Sequence, residues 1–99
     1  MVVGVLVLDV LLGDVHSLKQ KRTVVKPIVA ELRRRYDVAA AETGDADLHR
    51  RAEISVSSVG TSHTHVRDVL DACERLVAER PDVDLLSARH RVLDDDDLD

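Results

Sequence analysis

Apolar residues crowd the start of the chain, and their pattern changes four times before the end. Val2–Leu12 is nearly continuous Val and Leu, is too short for an independent helix and stops at Gly13-Asp14, which predicts a strand. Both of its faces are apolar. One carries Val2, Gly4, Leu6, Leu8, Val10 and Leu12; the other carries Val3, Val5, Val7 and Leu11, broken only by Asp9. From Ser17 the period becomes helical. Ser17 and Gln20 stand at capping-box spacing, and Leu18, Val25, Ile28, Val29, Leu32 and Tyr36 fall on one stripe. Pro27 lies inside that stripe without shifting its phase, so a kinked single helix is expected. Asp37–Glu42 predicts a short strand, and Arg51–Val59 alternates with period two, a strand with one core face. Thr61 and Ser62 offer caps for a second helix with Val66, Val69, Leu70, Cys73, Leu76 and Val77 inward, ended by Pro81. Val83–Leu93 predicts a last strand.

This order, βαββαβ, is that of the ferredoxin-like split βαβ, an α+β fold with a four-stranded antiparallel sheet and two helices on one face. Residues 1–93 then make one domain, and the acidic segment 94–99 is expected to be a disordered tail. With both helices on one side, Val3, Val5, Val7 and Leu11 face away from them. An apolar patch on an open sheet marks an interface, so a homodimer through that face is expected. The alternative is a sheet covered by the tail or a loop.

The 99 residues carry a formal charge of −5, which argues against a polyanionic partner until it is resolved along the chain. The tail aspartates supply −5 by themselves, leaving a neutral domain in which residues 16–35 carry +6. On a helical wheel begun at Leu18, Arg22, Arg33, Lys26 and Lys19 fall at about 40°, 60°, 80° and 100°, a ridge beside the apolar stripe. Such a ridge suits a nucleic-acid backbone through phosphate contacts, against the plainer reading of a solvated helix face. Lys19, Lys21 and Arg22 crowd the helix N-terminus, where the macrodipole disfavours cations, and that unfavourable placement argues for use. The candidate contact face is His16, Lys19, Lys21, Arg22, Lys26 and Arg33. Lys21 also falls at about 300°, within the stripe, where it must snorkel out to water or meet a carboxylate; Asp9 and Glu42 are the candidates.

Other chemistry is thinly represented. There is no Trp or Phe and one Tyr, so bases cannot be stacked as many single-strand readers stack them, and no DNA sequence specificity is expected. His63-x-His65 lies at a helix start, where that spacing splays the two rings, and no metal site is expected. Cys73 sits on the apolar stripe as a core thiol. The four glycines are scattered and build no phosphate loop, so neither a catalytic residue nor a cofactor is expected. Val2–Leu12 is too short to span a bilayer and lacks the flanks of a secretory signal; with one cysteine, the expectation is a cytoplasmic protein without membrane association.

His16-Ser17-Leu18-Lys19-Gln20-Lys21-Arg22, after a Val-Gly-Val-Leu strand, resembles the H-S-L-K-x-K-R signature of the YlxP-like family of small bacterial proteins. The resemblance continues through Tyr36-Asp37-Val38, Ala41-Glu42 and the Asp47–Ala52 stretch, to about 90 of the 99 residues. It implies the ferredoxin-like fold and a gene neighbourhood among translation-initiation and ribosome-maturation factors, and implies no activity. His49 stands where many relatives have an aromatic residue, which removes a stacking role there. Acylphosphatases share this fold class but need an asparagine, and the chain has none. Two readings follow. One is a non-catalytic accessory factor bound to RNA or a ribosomal subunit; the other is a dimeric protein-interaction or small-ligand regulatory module.

Overall fold

The structure is a computed structural model, and it describes residues 1–98. Strand β1 (Val2–Leu12) is followed by helix α1 (Leu18–Tyr36), strands β2 (Ala39–Gly44) and β3 (Arg51–Gly60), helix α2 (His63–Ala78) and strand β4 (Val83–Asp94). The four strands form one sheet in the order β2-β3-β1-β4, with β1 antiparallel to both of its neighbours and β2 antiparallel to β3. This is the ferredoxin-like α+β fold. Burial along β1 alternates strictly: the even positions disappear beneath the helices and the odd positions stay half-exposed on the open face. Leu6, Leu8, Leu12, Ile28, Leu32, Ile54 and Leu70 make the centre of the core.

The helix ends follow from local chemistry. Ser17 Oγ accepts from the Gln20 amide at 3.1 Å, while Gln20 Oε1 accepts at 2.6 Å from the amide of His16, one residue outside the usual box. Helix α1 runs unbroken through exposed Pro27 and closes on Asp37, which takes a left-handed conformation (φ 52°) and donates its amide to Arg33 O. That cap corrects the expected start of β2 from Asp37 to Ala39. Aspartate tolerates the left-handed region better than most residues. Helix α2 starts on Ser62, whose Oγ accepts from the His65 amide at 3.0 Å. It crosses β1 so closely that Gly4 is required: a Cβ there would lie 2.8 Å from Leu70 Cδ1 and closer still to Val66 Cγ1.

Segment 94–99, expected to lack structure, differs from that expectation over the described residues. Asp94 is the last residue of β4, and Asp95–Asp97 form one 3-10 turn capped by the Asp94 side chain. Asp95 pairs with the Met1 amine at 3.2 Å and Asp94 lies 3.3 Å from His63. The remainder of that expectation falls on Asp99, outside the described residues.

Candidate functional site

Of the six candidate contact residues, one is removed by its geometry. Lys21 is 2% exposed. Its ammonium is 2.9 Å from Glu42 Oε2 and donates to the carbonyls of Asp45 at 2.7 Å and Leu48 at 2.9 Å. Three donors meet three acceptors, so the charge is fully engaged inside the molecule. The helical position of Lys21 had argued for burial against its inclusion in the contact face, and burial is what the fold imposes. Glu42 is the partner. Asp9, the other candidate, points to the opposite side of the sheet and accepts from Ser87 Oγ at 2.8 Å.

The other cations lie on the surface. Lys19, Arg22 and Lys26 are exposed and make no ion pair among the described residues. Arg33 reaches across to β2, donating Nε to Ala40 O at 2.9 Å and leaving its terminal amines without a partner among the described residues. His16 is held by Asp14 at 2.7 Å, which ties it to the β1–α1 loop beside the helix start. Arg22, Lys26 and Arg33 line one open groove of about 510 Å³ between α1 and β2, floored by Val25 and Val29. The three are spaced about 6 Å and 10 Å apart along the helix axis. Among the described residues Glu42 is the only acid on that groove, and it already neutralises Lys21. A groove that composition would rate as mixed therefore carries three uncompensated positive charges.

On the open sheet face, Val3, Val5 and Val7 form a half-buried stripe whose register neighbours are Val59, Ser57 and Ser55 on β3 and Leu93, Arg91 and Arg89 on β4. Leu11 belongs to the same face but is cut off from the stripe by Asp9, and its neighbours are Arg51 and Asp84. The four residues thus share a face without forming one continuous patch.

The cleft on the other side, between α2 and β4, went unread in the sequence. His90 faces Glu74 Oε1 through Nε2 and Asp71 Oδ1 through Nδ1, the latter at 4.0 Å. Asp71 and Glu74 are spaced to share a helix face, but nothing local says that a strand residue further along the chain will meet them. Cys73 is fully buried, and burial pushes its thiol up to about 11, so it is a core residue and not a nucleophile. Among the described residues no group of three or more His, Cys, Asp or Glu is arranged to hold a metal ion, and no helix is long and apolar enough to cross a membrane.

The fold and this groove define a small α+β protein with a basic cleft at one sheet edge. Residues 3–90 match the family described as a protein of unknown function (DUF503), and the chain belongs to that family. A search of curated proteins returns no match.

Proposed function

We propose that this protein is a non-catalytic accessory factor that holds RNA, free or in a ribosomal subunit, by its phosphates in the groove between α1 and β2. Lys19, Arg22, Lys26 and Arg33 are the contacts, with His16 at the helix start. The observation that carries the reading is the burial of Lys21 against Glu42, which cancels the groove's one acid and leaves its cations facing solvent. The lack of Trp and Phe directs recognition to phosphate and shape. The narrower YlxP-like assignment, supported by the His16–Arg22 signature, belongs to the same proposal, as does a cytoplasmic location, in keeping with the lone cysteine.

Binding of small-subunit ribosomal RNA across a salt series tests it. In Lys19→Ala, Arg22→Ala and Lys26→Ala, singly and together, each lost contact should flatten the plot of log affinity against log salt by about one. Curves indistinguishable from wild type would remove the proposal.

A second reading has its own observation, the half-buried Val3-Val5-Val7 stripe. It makes the protein a homodimer packed through the open sheet face, acting as a protein-interaction or small-ligand regulatory module. Light scattering should then give twice the chain mass at tens of micromolar, falling to one chain in Val5→Lys. A wild-type monomer would dispose of it.

A further inference from the structure

The sheet has two edges, β2 and β4, and they are finished differently. Strand β4 is 12 residues long, has a register shift opposite Asp9/Val10 and carries Arg89 and Arg91. Bulges and charges of that kind deter a further strand from pairing. The first half of β2 has neither: residues 39–41 are alanines, and its register shift comes only after Glu42.

The direction of the free backbone groups follows from one contact. Arg33 Nε reaches the Ala40 carbonyl from outside the sheet, so Ala40 points its polar groups outward. The N–H and C=O of one residue point the same way, and successive residues alternate. Ala40 and Glu42 therefore turn their backbone groups outward, the Ala40 carbonyl already held by Arg33, while Ala39 and Ala41 turn theirs toward β3, where their register partners are Ser57 and Ser55. The outer edge of β2 opens into the groove whose other wall is Arg22, Lys26 and Arg33. A strand laid there would turn alternate side chains toward those cations and the rest toward the open face beside Ala39 and Ala41.

We infer that β2 accepts an added strand from a partner protein, an extended acidic segment in which carboxylates alternate with small or apolar residues. Main-chain bonds to Ala40 and Glu42 supply the pairing, and the cation wall selects the acidic sequence. Arg33 serves both purposes: it covers the edge while the groove is empty, and its terminal amines are placed to take a carboxylate of the incoming strand. This goes beyond the phosphate reading. The two ligands draw on the same cations and exclude one another.

The test uses the full chain and a blocked octapeptide, Thr-Glu-Val-Glu-Val-Glu-Val-Thr, beside the same peptide N-methylated on alternate amides in either register. At saturation with the plain peptide, amide exchange of Ala40 and Glu42 should slow roughly tenfold or more, with Ala41 unchanged. The form methylated on the amides that face β2 should fail to protect them, while the form methylated on the opposite edge should protect them as the plain peptide does. Arg22→Ala/Lys26→Ala, both at exposed positions, should weaken the plain peptide about tenfold at low salt, the loss of two exposed ion pairs. Absence of binding, or equal binding of the two N-methylated forms, would overturn the inference. An oligouridylate arm separates it from the phosphate reading: RNA should displace the peptide without protecting the two amides. RNA that does not bind defeats the phosphate reading alone.

Discussion

In the cleft between α1 and β2, a lysine buried beneath the helix neutralises the one carboxylate, and three cations face solvent unopposed. In the cleft between α2 and β4, two helix carboxylates, Asp71 and Glu74, converge on His90 of the strand, and Arg67 and Arg91 line the same cleft. Each cleft is made by one of the two strand–helix–strand halves of the fold. They differ in what fastens the helix to its sheet. The first half is fastened by an ion pair that also holds the β2–β3 loop through the carbonyls of Asp45 and Leu48. The second is fastened by contact, with Val66 and Leu70 pressed onto Gly4. Fold alone therefore does not decide how charge is arranged in each cleft. The pairing of individual side chains does.

The largest effect should come from breaking the first fastening. Lys21→Ala leaves Glu42 and two loop carbonyls without their donor, and the loss of one member of a buried pair costs about 3 kcal/mol, toward the lower end because the Glu42 side chain is 30% exposed. Urea denaturation measures it. Lys21→Met/Glu42→Gln removes the uncompensated charge as well and should recover part of that loss. A Lys21→Ala protein as stable as wild type would mean that the ion pair is not what holds the first half together.

Gly4→Ala tests the second fastening and should cost about 2 kcal/mol, the range for overpacking a filled site. Val66 is stiff at χ1 and both it and Leu70 are fully buried, so neither can turn away freely. Trimming the opposing side chain in Gly4→Ala/Val66→Ala should lower the cost below the sum of the two single changes. Additive losses would show that the close approach is not the cause. Smaller again is His90→Ala, where both partners are partly exposed: the loss should stay below about 1 kcal/mol and shrink with added salt.

The regular parts of this molecule were legible because they rest on period. The two faces of β1, the stripe of α1 through Pro27 and the inward face of α2 each follow from counting residues, and together they dictate the topology. Lys21 was legible in part: its helical angle placed it under the helix, and Glu42 was one of two acids within reach of a strand end. The carbonyls of Asp45 and Leu48 were not, because they belong to an irregular loop whose path no periodicity describes. The His90 clamp joins residues 16 apart across two elements, so no local spacing announces it. The true start of β2 turned on one backbone angle at Asp37. The groove itself was half-read. Its cations were visible on a helical wheel, but their freedom from Glu42 emerges only when Lys21 is seen beneath it.

The smallest expected effect concerns the far end of β4, where the acidic segment turns back beside α2. The Asp96 amide donates to Asp94 Oδ1 at 2.9 Å, and this bond, with the nearby Asp97 amide and His63, holds the Asp94 carboxyl below its ordinary range. A carboxyl depressed in the folded state stabilises the fold at pH values above its ordinary pKa of 3.8. The contribution is lost as pH falls through the lower, folded value. Asp94→Asn should therefore narrow its stability difference from wild type as pH is lowered through that window, while above it the variant stays less stable by a constant amount. Thermal melts at matched ionic strength between pH 7 and pH 2 would display the convergence. A difference that stays flat across the window would mean that the turn is held by the shape of its backbone and not by the charge, and the contrast between the two clefts would then owe nothing to this end of the sheet.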